Sequence, residues 1–249
     1  MSTTNWLRDL DATIDNLVSN EAPILSRIVQ GKLGSHEVQA VARRHYAEVR
    51  TFIDIKLPSR LRLCPHDESR AKSYFSSLYI EEQGNFVPGA NHAHIMADFC
   101  ISIGIESSAL EREFEGYWPN YRSILLEPPS IGAMVRELAV SYTWESMIHR
   151  VAEPLRILVD RASSDYALTE HQTRYFPGHL DADEDHQELA RDTLAFYSNN
   201  QANRELIEAS VRRTLLAENP WTPGARVVTI SNIFQKCARI DGKQPASKE

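Results

Sequence analysis

The chain has 249 residues, a formal net charge of -7 and a pI near 5.7, a balance that argues against a nucleic-acid backbone as its main partner. Its longest apolar stretch, Phe99 to Ile105, is interrupted by Ser102 and falls far short of the roughly 20 residues that cross a bilayer. Cys64, Cys100 and Cys237 are odd in number and widely separated, which fits neither a disulfide framework nor a thiolate metal site. The start, Met1 to Trp6, has no basic segment followed by an apolar one, so the cytoplasm is the expected compartment.

Apolar residues recur at helical spacing almost throughout, and no alternating stretch lasts long enough to suggest a sheet, so an all-α bundle of about seven helices is expected. The length suits one core, giving a single domain over 1–240 and a solvated tail over 241–249. Breakers at 20–23, 31–35, 58–67, 84–91, 127–130, 163–168, 177–178 and 199–203 are expected to divide the helices. A helix over 35–56 opens with Ser35 and Glu37, with Val38, Val41, Tyr46 and Phe52 as its core face. From Pro220 the character changes: Trp221 to Gly224 reads as a turn, followed by a short apolar helix to about Ile240.

Three segments carry candidate chemistry. The helix ending in Tyr79-Ile-Glu81-Glu82 is followed by a loop that delivers Asn91, His92 and His94 to the next helix start. His92 shares a register with Ile95, Met96 and Phe99, whereas His94 points elsewhere, so His92 is the inward candidate. These residues also read simply as a solvated helix end and a loop cap.

In the helix expected over 131–161, Glu145 and His149 sit within the stripe Val135, Leu138, Tyr142, Ala152 and Leu155. A buried carboxylate needs a cation, either a metal or an arginine such as Arg43, Arg44 or Arg50. His149 reads as a satisfied core histidine or as a group orienting a ligand.

The strongest signal is His179-x3-Asp183-x2-His186, whose offsets of four and seven place two imidazoles and a carboxylate on one helical stripe that continues through Ala190, Thr193 and Tyr197. The acidic residues there also suit the positive end of a helix dipole. Together the segments offer Glu82, His92, Glu145, His179, Asp183 and His186, a set of oxygen and nitrogen donors without thiolate that suits iron, with manganese as the alternative. A ferritin-like centre would need paired Glu-x-x-His motifs, which are absent from the sequence.

Over roughly residues 20–215 the chain resembles the haem-oxygenase-like di-iron oxidases and oxygenases, relatives of the helical proteins of pyrroloquinoline-quinone synthesis and of the thiaminase-like proteins. The resemblance rests on Pro23 to Leu33 with His45-Tyr46, on Glu81-Glu82-Gln-Gly84 with His92 twelve residues before Gly104, and on Glu145 with His179, Asp183 and His186. It implies two ferrous ions held by those six side chains, dioxygen as co-substrate, and a haem-oxygenase-like bundle. The loop from Gly84 to Asn91 departs from the pattern of some members and leaves Glu81 as an alternative to Glu82; the segment after Pro220 matches no part of it.

The expected activity is N-oxygenation, oxidative cleavage or desaturation of a small amino-acid-type substrate, in biosynthesis. His149 and Arg150, with Glu153 and Arg156, make the neighbourhood of Glu145 more polar than a lipid tunnel requires. The alternatives are oxidative decarboxylation of a medium-chain fatty acid, a metal-free thiaminase-like or quinone-synthesis-like enzyme, and a helical partner-binding protein. An external electron donor and a homodimer are compatible with the first reading.

Overall fold

The computed structural model describes the backbone of residues 3–19, 27–28 and 30–218, and their side chains except those of 17–19, 148–155, 178–185 and 217–218. Within that range the chain is an all-helical bundle without a strand, and no helix is long and apolar enough to cross a membrane. The expected segment after Pro220 and the tail from Asp241 lie outside the described residues, as does Cys237.

Eleven α-helices occur among the described residues, rather than about seven: α1 Thr3–Ser19, α2 Ser35–Thr51, α3 Leu57–Leu63, α4 Ser69–Glu82, α5 His92–Ser102, α6 Ser107–Tyr117, α7 Arg122–Leu126, α8 Ile131–Tyr166, α9 Glu170–Thr173, α10 Tyr175–Tyr197 and α11 Gln201–Arg213. The additional ones are mostly short, such as α3, α7 and α9, and helices of one or two turns have too few residues for periodicity to betray them.

One expected break, 58–67, begins only after Leu63, and another, 177–178, is not a break. A π-helical turn, Phe52–Lys56, carries α2 directly into α3, and Pro58 sits in the first turn of α3. Pro177 likewise falls in the first turn of α10, which runs on through Gly178 to Tyr197. At Pro177 the proline forfeits no helical hydrogen bond, since the N–H groups of a first turn have no intrahelical partner, whereas Pro58, in a helix continuous through the π-helical turn, lacks an N–H that the preceding turn could accept. Similarly, α8 extends to Tyr166, five residues past its expected end, and stops where Ala167 turns left-handed at φ 52°.

Other boundaries follow from local chemistry. The N–H of Gly34 donates to the Glu37 carboxylate at 2.8 Å and holds the start of α2. At the start of α8 the Ser130 hydroxyl accepts from the Ala133 N–H at 3.1 Å.

The apolar interior falls into two main clusters. One joins α2, α5 and α6 to Leu158, Val159 and Ala162 of α8 and to Tyr175 and Phe176 of α10. The other joins α1, α3 and α4 to Met134 through Met147 of α8, to Ala190, Leu194 and Tyr197 of α10, and to α11. The two long helices α8 and α10 pack along each other and run through both. His186 thus falls between the apolar clusters along α10, Glu145 is flanked by Tyr142 and Met147 of the second cluster, and α4 ends at Glu82.

Between α4 and α5 the chain reverses through a tight turn in which Gly84, Asn85 and Phe86 all have positive φ, 63°, 53° and 59°. At Gly84 a Cβ would lie 2.2 Å from the backbone carbonyl carbon and oxygen of Ala90, a contact that side-chain motion cannot relieve. A left-handed conformation costs an L-residue about 1–2 kcal/mol, and overpacking adds about 1–3 kcal/mol. Gly84→Ala is therefore expected to destabilise the fold by about 2–5 kcal/mol and to shift Glu82 relative to His92. Chemical denaturation of the variant, with iron content measured after reconstitution, checks both effects; wild-type stability would contradict this reading of the turn.

Candidate metal centre

Four elements converge on one polar zone. The last turn of α4 contributes Glu81 and Glu82, the first residue of α5 contributes His92, the middle of α8 contributes Glu145 and α10 contributes His186. The start of α5 is fixed by Asn91, whose side-chain oxygen accepts from the N–H groups of Ala93 and His94 while its amide donates to Gln83 at 2.7 Å. The cap thereby ties the first turn of α5 to the end of α4 and sets the reach of His92 towards Glu82.

His92 Nδ1 lies 2.9 Å from Glu82 Oε2. His186 Nε2 lies 2.6 Å from Glu81 Oε2, and its Nδ1 lies 4.0 Å from Glu145 Oε2. Glu82 and Glu145 are buried, with 8% and 6% of their surface exposed, so two carboxylates have been withdrawn from water towards two imidazoles. Burial opposes protonation of His92, but its hydrogen bond to Glu82 and the charges of Glu82 and Glu81 outweigh it and raise the pKa. Burial likewise opposes protonation of His186; the charge of Glu145, followed by the hydrogen bond and charge of Glu81, reverses the effect. Both shifts report the same thing: the carboxylates make this zone strongly attractive to positive charge.

Arginine does not supply that charge in the way the sequence allowed. Arg43 pairs with Glu113, Arg44 with Glu48 and Glu113, and Arg50 with Asp54 and Glu111, all away from Glu145. Among the described residues no thiolate supplies a donor: Cys64 and Cys100 are buried, and burial raises the pKa of both, Cys64 to about 11. What remains is a carboxylate and imidazole donor set, which fits iron or manganese.

The inward and outward assignments hold where they are described. Ala190, Thr193 and Tyr197 are buried on the stripe that begins with His179, and His94 is exposed while His92 is partly buried. His179 and Asp183 lie on α10 about two turns and one turn before His186, and His149 and Arg150 lie on α8 just past Glu145, but all four side chains are outside the described residues. Among the described residues, no three histidine, cysteine, aspartate or glutamate side chains enclose a common point. The donors meet in imidazole–carboxylate pairs instead.

Glu81, the alternative to Glu82, enters the zone as well, and the two carboxylates face different histidines. Two tyrosine neighbours were not singled out from sequence. Tyr175 stands edge-on between His45 and His92, with ring centroids 5.5 and 6.2 Å away. Tyr74, two turns before Glu81, is fully buried and shares a 2.8 Å hydrogen bond with Ser141. Burial, then the charge of Glu145, holds its phenol far above the ordinary pKa and therefore neutral. The signal for Tyr74 was present, since Tyr74, Leu78 and Glu82 recur at offsets of four on α4.

A family model described as iron-containing redox enzyme matches residues 39–219. A protein named 4-aminobenzoate synthase from Chlamydia muridarum is 26% identical over 212 residues, covering 83% of this chain and 84% of that protein. A second of the same name, from Chlamydia pneumoniae, is 24% identical over 193 residues, covering 77% and 82%. A solved domain of unknown function from Shewanella denitrificans, with a haem-oxygenase-like fold, superposes with a TM-score of 0.61 at 15% identity, over 100% of this chain and 99% of that one. The fold is therefore haem-oxygenase-like.

Replacing a donor of this zone should lower metal binding; a carboxylate replacement also relieves repulsion among crowded carboxylates, whereas a histidine replacement leaves its carboxylate less compensated and lowers stability as well. Glu82→Gln and His92→Ala are each expected to lose at least half of the iron bound after anaerobic reconstitution, as read by elemental analysis, whereas His94→Ala, on the exposed side of the same turn, should keep it. Equal loss in all three variants would show that the α5 start, rather than its inward donor, governs binding.

Proposed function

This chain belongs to the family of iron-containing redox enzymes, and from that premise we propose that it is a dioxygen-dependent, non-haem di-iron oxidase or oxygenase acting on a small amino-acid-type compound. The observation that carries this reading is the pairing of buried Glu82 with His92 and of His186 with Glu81 and buried Glu145, from four helices, at one level of the bundle. His179 and Asp183, on the same helix as His186, complete a donor set large enough for two ions. Glu82, His92, Glu145, His179, Asp183 and His186 are the proposed ligands, with Glu81 close enough to join them.

Bound iron would supply the redox electrons and Lewis acidity that let dioxygen react at neutral pH. The chain's own residues do the rest. Carboxylates that share an anionic, low-dielectric zone offset the charge of oxidised metal and hold the imidazoles in fixed directions. Apolar clusters on both sides keep bulk water away, which protects reactive species from side reactions. Tyr74, kept neutral, presents a phenol hydrogen-bonded to Ser141 beside that zone.

The substrate class rests on two supports. The segment after Glu145 brings His149 and Arg150, groups suited to an amino acid's charged ends rather than to a lipid tail. The two chlamydial relatives are named for 4-aminobenzoate, itself a small molecule bearing an amine and a carboxylate, which favours an aromatic amino acid as substrate or product over a fatty acid.

Anaerobic loading with ferrous iron, followed by oxygen and a panel of amino acids and medium-chain fatty acids, tests the reading by oxygen uptake and mass spectrometry of products. An amino-acid-type product, 4-aminobenzoate included, is expected, with turnover reduced at least tenfold in Asp183→Ala and close to wild type in Asp185→Ala, whose position lies off the stripe. Turnover without iron, or loss in Asp185→Ala alone, would overturn it.

A further inference from the structure

Away from the metal zone, α8 borders a second cavity of about 260 Å³, at the lower end of the ~300–1,000 Å³ typical of ligand sites. It opens between the π-helical turn before α3, the 3-10 turn Trp118–Tyr121, the first half of α8 and the end of α11. Glu137, on its wall, precedes Glu145 by eight residues, or about 12 Å along the helix, so this is a separate site.

Its wall is cationic. Lys56, Arg60, Arg136 and Arg213 line it against a single carboxylate, Glu137. Arg136 is already engaged with Glu127 and Glu137, and Arg60 Nε lies 3.3 Å from Glu137. Lys56 has no carboxylate partner among the described residues, and Arg60, though paired with Glu137 and over the Phe52 and Phe75 rings, keeps one nitrogen unbonded. Lys56 is 7% exposed, and its ammonium lies 3.8 Å from the Tyr121 ring centroid and 5.6 Å from that of Trp144. Arg60 is completely buried, and its unbonded nitrogen is Nη2. Withdrawing an ammonium and a guanidinium edge from water costs several kcal/mol per ion unless an anion faces them.

We propose that this cavity binds a small organic monocarboxylate. The cations supply the recognition of the head group, and a guanidinium matches the plane of a carboxylate. Glu137 already places one negative charge on the wall, so a singly charged head is favoured over a phosphate dianion. Ile124, Val140 and Leu206 offer the apolar surface for the body of the molecule. The site is distinct from the iron ligands and takes no part in holding them.

Calorimetric titration of the iron-loaded protein with benzoate, benzamide and inorganic phosphate tests this. Benzoate is expected to bind at submillimolar concentration, with benzamide and phosphate at least tenfold weaker. Lys56→Met, which keeps the stem and removes the charge, should weaken benzoate at least tenfold, and Arg213→Gln, at the exposed rim, at least threefold, so that the test survives misfolding of the first variant. Glu82→Gln should leave benzoate affinity unchanged. Loss of benzoate binding in Glu82→Gln with retention in Lys56→Met and Arg213→Gln would place the anion at the iron and overturn the proposal, as would equal binding of benzamide or tighter binding of phosphate.

Discussion

Everything distinctive about this bundle turns on carboxylates buried where charge is expensive. Glu82 and Glu145 are buried among apolar side chains, with Glu81 close by, and each buried charge costs several kcal/mol unless a cation or hydrogen-bond donor compensates it. The fold answers with imidazoles from two other helices, His92 and His186, whose affinity for protons rises in response. An arrangement that attracts positive charge so strongly, built from oxygen and nitrogen donors, is chemically matched to a hard or borderline metal ion. Membership in the iron-containing redox enzymes gives that match its identity.

The architecture serves this constraint. Because α8 and α10 take part in both clusters, each packs through apolar side chains along its length and carries a candidate donor, Glu145 or His186, within it. The reversal at Gly84 to Phe86 then returns the chain so that the last turn of α4 and the first turn of α5 face one another. A donor on a helix terminus is held by its cap, which is why Asn91 matters to His92 although it touches no candidate ion.

The helical class and the inward faces were legible in the sequence because burial imposes a 3.6-residue period, and Ala190, Thr193, Tyr197, Val135, Leu138 and Tyr142 all obey it. Helix number was not, since Pro58 and Pro177 punctuate a sequence in the same way whether they end a helix or begin one. Nor could spacing distinguish Glu81 from Glu82. Adjacent residues on a helix point about 100° apart, and only the crossing of α10 over the end of α4 brings His186 to Glu81 while His92 takes Glu82. The cationic cavity was equally invisible, because Lys56, Arg136 and Arg213 are scattered over three segments and meet only through packing.

The central claim is that the level of Glu82 and Glu145 is where iron binds. Anomalous X-ray scattering at the iron edge from crystals of the anaerobically loaded protein measures this without reference to activity. Two peaks are predicted, about 3.5–4 Å apart as in two-metal sites generally, within coordinating distance of Glu82, His92, Glu145 and His186. Iron ordered elsewhere in the bundle, with these four side chains unligated, would contradict the account.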